Sequence, residues 1–574
     1  MSDLHTRDLH TAGLHASLHD NRALVWSLFA AFALVTLYML GVRTLVPPDE
    51  GRYAEMAREM FVSGDWVTTR LNGIKYFEKP PLQTWMNALS FTLFGLGEWQ
   101  ARLWTGLCGI GGVLLTAYAG TRVFCARVGF YAGLVLGSCF YWVACSQIDS
   151  LDMGLSGMMT IVLCALLLGQ REGASALENR NWMLLCWAAM ALAVLSKGLI
   201  GLMLPGGILV AYTLITLQWR LWARLHLVKG LLLFLLVAAP WFILVGMRNP
   251  EQPAFFFIHE HWDRFFKTEH HREQVWYVFF VLTAVGMVPW LGMLAQSLVL
   301  GARKVAGSDP KAFRPRLMLL IWAAFIILFF TKSNSKLPGY ILPVFPALAL
   351  LTAIYLDTGR RAARVVTAAL MALVGAALLA TVPFMPRMAG RAGEVVLYQG
   401  YQPWVLAAGL VALLGGALAL LYARRQDGHK SKDWFVVVLA VAGFATTQIM
   451  MAGFEPLGRA RAGVAMLPAI EAQLTPDTKL YAVGTYEQSM SFYLRRTVTL
   501  VAYTDEFSFG LQQQPELGIP TVPLFVERWM RDAAAGRHNL AFMPEDIYHA
   551  LRAQGVPMRI VAQDARRMVV SNQK

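Results

Sequence analysis

Runs of about 20 consecutive apolar residues recur from Leu24 to Gly453, and no other feature restricts the fold as much. A helix of that length rises about 30 Å, the thickness of a bilayer's hydrocarbon layer. Backbone polar groups find no water there, so a continuous apolar run crosses as a helix. The alternating pattern of a membrane barrel is absent. Of 574 residues, 56 % are hydrophobic and 15 % charged, with a mean hydropathy of +0.48. Soluble domains carry about 25 % charged residues. The chain therefore reads as an α-helical integral membrane protein.

Spans are expected over Leu24–Val46 and near 101–124, 127–147, 153–169, 182–196, 199–217, 228–247, 275–300, 316–331, 340–356, 365–384, 403–422 and 434–453, about thirteen transmembrane helices. Leu24–Val46 is too long for a cleavable signal core and reads as a signal anchor. Leu82–Leu96 follows Pro80-Pro81 and has about fifteen mostly apolar residues. If it crossed, the basic loops would fall outside, against the bias of Lys and Arg toward the cytoplasm. It is expected to lie along the interface as a juxtamembrane helix. The cytoplasmic loops then carry Arg122, Arg127, Arg171, Arg180, Arg220, Arg224, Lys229, Arg303, Lys304, Lys311, Arg314, Arg316, Arg360, Arg361, Arg364, Arg424, Arg425, Lys430 and Lys432. Residues 1–22 form a cytoplasmic arm, in which His5, His10, His15 and His19 read as a surface feature. The net charge of +14 is thereby assigned to topology and to membrane lipid head groups, not to nucleic acid. The six cysteines lie in or beside apolar runs without a CxxC pair, so they read as packing residues.

The opposite face collects the loop at 47–98, in which Ala54–Phe61 reads as a short amphipathic helix, and the segments Gln147–Asp152, Ser196–Gly198, 249–274, Thr331–Tyr340 and 385–402. Asp49, Glu50, Lys79, Asp149, Asp152, Lys197, His259, Arg264, Lys336 and Tyr340 meet there from distant parts of the chain. Charge at a membrane boundary is costly without a partner or substrate. Residues 454–574 read as a small extracytoplasmic α/β domain. Its strands are expected at Lys479–Gly484, Thr497–Ala502, Leu540–Met543 and Arg559–Val561, and its helices at Pro468–Gln473, Val526–Ala534 and Glu545–Ala553. No GxGxxG or P-loop is present, and no nucleotide is expected on this face. A lipid-linked donor fits better. Its phosphate would need fixed cations, for which Lys79, Lys197, Arg264 and Lys336 are candidates. Asp49 and Asp152 could hold sugar hydroxyls or amines, orient an acceptor, or act as a base. Plainer roles compete: Lys79 pairing with Glu78, Lys197 as a turn residue, and Asp149 or Asp152 capping the next helix. The histidines at 259–271 lack HExxH spacing.

PPDEGRYAEMAREM at 47–60, KYFEKPPLQTWMNALSFTLFG at 75–95, QIDSLDM at 147–153 and SKLPGYILPVFPAL at 335–348 resemble the bacterial lipid A aminoarabinose transferases. These belong to the C-type (GT-C) glycosyltransferases, which use polyprenyl- or dolichyl-phosphate sugars. The resemblance extends to the layout of about thirteen spans with an external C-terminal domain. It implies undecaprenyl-phosphate aminoarabinose as donor and a lipid A phosphate as acceptor, at the periplasmic face of the bacterial inner membrane. It also implies resistance to polymyxin and other cationic peptides. Asp49 would be the key acid and Asp152 the second, with Tyr53 and Tyr76 near the sugar. Lys79 and Arg264 would hold the donor phosphate, with Lys336 and Tyr340 close by. Glu78 and His259 match positions associated with a structural metal, zinc. A single inverting displacement is expected, because one external acid does not make a nucleophile pair. The acidic pair is shared with protein mannosyltransferases, so transfer to a hydroxyl, with Asp49 as base, is a second reading. A lipid or sugar transporter is a third, but midplane charges and internal repeats, which would mark it, are not visible.

Overall fold

Asn21 starts the first span: its side chain accepts the Leu24 amide, one of the donors orphaned at a helix start, and α1 (Arg22–Met39) follows. The computed structural model describes residues 17–256, 274–304, 309, 311–425 and 428–573. Up to residue 453 the main elements are helical: α2 (Asp49–Ser63), α3 (Leu82–Phe94), α4 (Glu98–Val123), α5 (Ala126–Leu136), α6 (Phe140–Cys145), α7 (Leu151–Gln170), α8 (Ala176–Lys197), α9 (Ile200–Thr216), α10 (Leu227–Arg248), α11 (Val278–Gly286), α12 (Leu291–Ala302), α13 (Pro315–Lys332), α14 (Phe345–Thr358), α15 (Arg361–Thr381), α16 (Val395–Arg424) and α17 (Gly428–Gly453). A short hairpin, β1 (Arg70–Leu71) with β2 (Ile74–Lys75), separates α2 from α3.

Every expected span overlaps helix, although Leu24–Val46 is helical only to Met39 and 127–147 is divided between α5 and α6. Among the described residues nine helices are long and apolar enough to cross a membrane, or ten if α11 and α12, bent by 110°, count as one broken span. α5 and α9 are shorter, and α8 carries Glu178, Asn179, Arg180 and Asn181 in its first turns. Length and apolarity thus support nine or ten crossings where the pattern of apolar runs suggested about thirteen. α3 is not among them. Its Gln83 and Asn87 are buried while Leu89, Leu93 and Phe94 are exposed, as suits a helix lying along an interface with its apolar side toward lipid.

α7 and the segment Pro338–Thr358 form the centre, with 89 % and 83 % of their spans buried, against 22 % for α1. Small residues bring the helices close: a Cβ at Gly157 would stand 2.7 Å from that of Cys108. Side chains at the ends of α7 and before α14 are therefore held by the most enclosed parts of the bundle. Cys108, Cys139, Cys164 and Cys186 are buried as packing residues, whereas Cys125 is exposed.

After α18 (Glu455–Ala462) and α19 (Leu467–Glu471), the chain builds one six-stranded sheet in the order β5-β4-β3-β6-β8-β7. Its strands are β3 (Lys479–Val483), β4 (Thr499–Val501), β5 (Gly518–Ile519), β6 (Asn539–Met543), β7 (Arg559–Gln563) and β8 (Met568–Ser571). β5, β4, β3 and β6 are parallel, and β8 and β7 add antiparallel. Successive strand residues face opposite sides. Tyr481 and Val483 pack with Phe525 and Trp529 of the helix Val522–Ala534. Leu480 and Ala482 share a core with Tyr53, Met56, Leu71, Ile74 and Tyr76. One face of the sheet is thus covered by the segment between α1 and α3.

Candidate active site

α7 and α8 form an antiparallel pair joined by residues 171–175, so the start of α7 and the end of α8 lie at the same end of the bundle. Asp152 is in the first turn of α7 and Lys197 ends α8. Each charge complements its helix dipole, anion at the N-terminus and cation at the C-terminus. The two side chains make a short ion pair, and Lys197 Nζ lies 4.5 Å from the centre of the Tyr340 ring. Gly339 packs directly against the Asp152 carboxyl, where a Cβ would clash. That contact explains why the SKLPGY run carries glycine before its tyrosine.

Asp49 opens α2 and is 56 % exposed in its side chain. Arg52, one turn on, lies 3.0 Å from Asp49 Oδ1 and turns its Nε to Glu506 at 2.6 Å. Gln488 Nε2 donates to the other Glu506 oxygen at 2.8 Å. Tyr53 and Tyr76 are buried beneath. Burial, and then the charge of Asp49, push the Tyr53 hydroxyl well above its ordinary range; Glu78 and Asp152 add to this while Arg52 opposes it. Tyr76 is raised by burial and by Glu78. Both phenols therefore stay protonated and can donate hydrogen bonds. Tyr53 and Tyr76 share a buried cluster with Leu151, the residue before Asp152, which brings the start of α2 beside the start of α7.

Glu50 points elsewhere. It is buried and paired with Arg102, whose Nε and Nη2 reach its two oxygens at 2.6 and 2.9 Å. Burial pushes its carboxyl up, but the charge and hydrogen bonds of Arg102, with the Arg43 charge and the Val46 amide, together outweigh this and hold it below the ordinary value. The Val46 and Asp149 amides also donate to Glu50. The Asp149 carboxylate accepts Gln83 Nε2 at 2.7 Å and Asn87 Nδ2 at 2.9 Å. Asp149 is therefore a buried tie between α3 and Glu50 and not a helix cap, Ser150 being the N-cap residue of α7. The acidic pair read as one feature divides into an exposed Asp49 and a structural Glu50.

Lys79 Nζ donates to the Glu78 carbonyl at 2.8 Å and stands 3.9 Å from Glu78 Oε2. Lys336 is half-buried and makes no ion pair among the described residues. His259 and Arg264 lie outside the described residues. Among the described residues no group of three His, Cys, Asp or Glu side chains is placed to hold a metal. Glu78 alone does not make such a site. Arg52 and Glu506 were not singled out in the sequence. Arg52 could have been, from its i,i+3 spacing to Asp49; Glu506 lies 457 positions away and carries no such signal.

Residues of the C-terminal part tie down the segment that carries Asp49. Glu455 accepts the Thr44 amide and hydroxyl at 2.7 and 2.8 Å, and Asn72 exchanges two bonds of 2.7 Å with the Val498 backbone. Near the end of α2, Glu59 accepts the Gly73 amide. Burial, then the charge of Glu55, push the Glu59 carboxyl up to about 8 from 4.5. Between those values the folded chain holds a proton that the unfolded chain has lost, so stability falls as pH rises through this window. Glu59→Gln is expected to flatten that loss, which at most amounts to about 1.4 kcal/mol per pH unit. Melting temperatures of both proteins from pH 5 to 8 test it; parallel profiles contradict it.

Residues 466–572 match the family model described as aminoarabinose transferase C-terminal domain, and residues 23–253 match that described as dolichyl-phosphate-mannose-protein mannosyltransferase. An undecaprenyl phosphate-alpha-4-amino-4-deoxy-L-arabinose arabinosyl transferase of Aeromonas salmonicida is 32 % identical over 404 residues, covering 68 % of this chain and 71 % of that protein. One from Edwardsiella ictaluri is 28 % identical and covers 86 % and 88 %. The crystal structure of ArnT from Cupriavidus metallidurans bound to undecaprenyl phosphate is 41 % identical, with a TM-score of 0.88 over 95 % of this chain and 97 % of that one. The identity and the shared architecture extend over nearly the whole chain, from the spans to the sheet. This chain belongs to the undecaprenyl phosphate-alpha-4-amino-4-deoxy-L-arabinose arabinosyl transferase family of GT-C glycosyltransferases.

Proposed function

We propose that this protein transfers 4-amino-4-deoxy-L-arabinose from undecaprenyl phosphate to a phosphate of lipid A, at the periplasmic face of the inner membrane. The observation that carries the reading is that Asp152, Lys197 and Tyr340 meet at one end of the helical bundle, where Leu151, next to Asp152, shares a buried cluster with Tyr53, one turn after exposed Asp49. A relative 41 % identical holds undecaprenyl phosphate. The side is supported by charge. Arg171 follows α7, whose 20 residues rise about 30 Å, so the basic loop and Asp152 lie a membrane thickness apart.

An acceptor phosphate is already anionic near neutral pH and needs no strong base. One of its oxygens forms a bond to the sugar's anomeric carbon as the bond to the donor phosphate breaks. The electron pair leaves with undecaprenyl phosphate. Lys79, together with Arg264, stabilises that growing charge; Lys197 and Lys336 add positive potential. Asp49, exposed and steered by Arg52, orients the sugar or its amine. The displacement inverts the anomeric centre. The product carries a cationic amine over a masked phosphate, which weakens binding of polymyxin and similar peptides.

The mannosyltransferase match over residues 23–253 favours one competing reading, transfer to a protein hydroxyl with Asp49 as base. Mass analysis of lipid A from cells with and without the protein separates the two. An aminoarabinose increment that depends on the protein is expected. Unaltered lipid A together with protein-dependent glycosylation of polypeptides would overturn the proposal. For the side, a periplasm-active reporter fused after Lys574 is expected to be active and one after Arg425 inactive. The reverse pattern contradicts the assignment.

A further inference from the structure

α14 carries the candidate site near one end and a second feature at the other. Gly339, just before the helix, touches Asp152, whereas Thr358 ends it after 14 residues, about 20 Å of rise away. At that far end a crevice of about 650 Å³ opens between α12, α14 and α15. Arg303, Arg360 and Tyr355 line it together with the apolar Val299, Leu300 and Ala363. We infer that this crevice binds an anionic phospholipid, its phosphate between Arg303 and Arg360 and an acyl chain along Val299 and Leu300.

Three observations carry the inference. First, the two arginines are exposed and make no ion pair among the described residues. Neighbouring cations on the same side are engaged: Arg127 with the Asp357 carboxylate at 3.1 Å, Lys432 with the Asp357 carbonyl at 3.1 Å and Arg361 with the Arg424 carbonyl. Among the described residues no carboxylate lines the crevice. Second, α15 starts at the crevice without a capping side chain or an acid in its first turn, so its open amides and dipole favour an anion there. Third, the crevice sits at the ends of apolar helices and its wall residue Val299 is 53 % exposed. A free phosphate would leave that wall unused, whereas a lipid covers it and brings the phosphate to the arginines. Basic pockets between membrane helices hold phospholipid head groups by this combination. The inference is independent of the transfer reaction, because the crevice lies at the opposite end of the bundle from Asp152.

The test uses the full chain in a neutral detergent, titrated separately with phosphatidylglycerol, phosphatidylcholine and inorganic phosphate. Retained lipid is read by native mass spectrometry and stability by melting temperature. Phosphatidylglycerol is expected to be retained and to raise the melting temperature, and the other two are not. The double variant Arg303→Gln/Arg360→Gln is expected to lose at least about tenfold in apparent affinity, since charge-assisted contacts are removed. Lys430→Gln, a surface cation outside the crevice, is expected to bind as wild type. If the double variant does not fold, each single variant and Thr358→Glu, which places a negative charge in the crevice lining, provide the same comparison. Unchanged phosphatidylglycerol affinity in these variants overturns the inference. So does equal stabilisation by inorganic phosphate, which would make this a free-anion site, or by phosphatidylcholine.

Discussion

Arg102→Ala is expected to leave almost no folded protein. Arg102 lies in α4 with no exposed surface, and its guanidinium donates to both Glu50 oxygens and to the carbonyls of Leu40, Arg43 and Thr44. These bonds use all the N–H groups a guanidinium has. Removing it strands the Glu50 carboxylate and those carbonyls inside the protein. Breaking a buried ion pair costs about 3–5 kcal/mol, and each orphaned carbonyl adds about 1–3 kcal/mol. Together these rival the whole stability of a typical domain, about 5–15 kcal/mol. Arg102→Lys is expected to fail as well, because one ammonium cannot span the same fork of acceptors. Size-exclusion profiles and melting curves measure this. A monodisperse Arg102→Ala protein with the wild-type melting temperature contradicts the structural role given to Glu50.

Asp49→Asn is expected to behave in the opposite way, folding normally while transfer falls about a hundredfold or more. Its side chain is 56 % exposed and, among the described residues, pairs with Arg52, and exposed pairs of that kind contribute under about 1 kcal/mol to stability. Its charge, by contrast, bears on buried Tyr53. Lys79→Ala should act on the donor instead, lowering its affinity by roughly ten- to a hundredfold, the worth of one contact to an ionised group. Turnover at saturating donor and donor binding, measured separately, distinguish the two. Wild-type turnover in Asp49→Asn with unchanged donor binding in Lys79→Ala would remove this segment from the mechanism.

The adjacent acids Asp49 and Glu50 show where a sequence is legible and where it is not. Read as a loop, the two form one acidic feature. In a helix, consecutive residues point about 100° apart, so one faces the cleft and the other meets Arg102 in the interior. The start of α2 was hidden because Asp49–Tyr53 lacks the apolar periodicity that marked Ala54–Phe61. Every span read from apolar runs overlaps helix, but the 110° bend between α11 and α12, and the polar first turns of α8, are tertiary facts that make counting crossings harder. In the C-terminal part the strands β3, β4, β6 and β7 are legible as short apolar runs. The two-residue β5 was too short to recognise, and β8, Met568–Ser571, was not distinguished near the chain end. Asp152, Lys197 and Tyr340 could be assigned to one face from topology alone, whereas Glu506 enters through folding of the C-terminal sheet against α2. His259 and Arg264 lie outside the described residues, so their places in the site rest on the resemblance.

The most direct test of the central claim is a transfer assay with the purified protein, undecaprenyl-phosphate aminoarabinose and lipid A, read as the mass of the lipid A product. An aminoarabinose increment on a lipid A phosphate, with matching release of undecaprenyl phosphate, is expected in wild type and not in Asp49→Asn. Donor consumed without a change in lipid A mass, or equal product from Asp49→Asn, would contradict it.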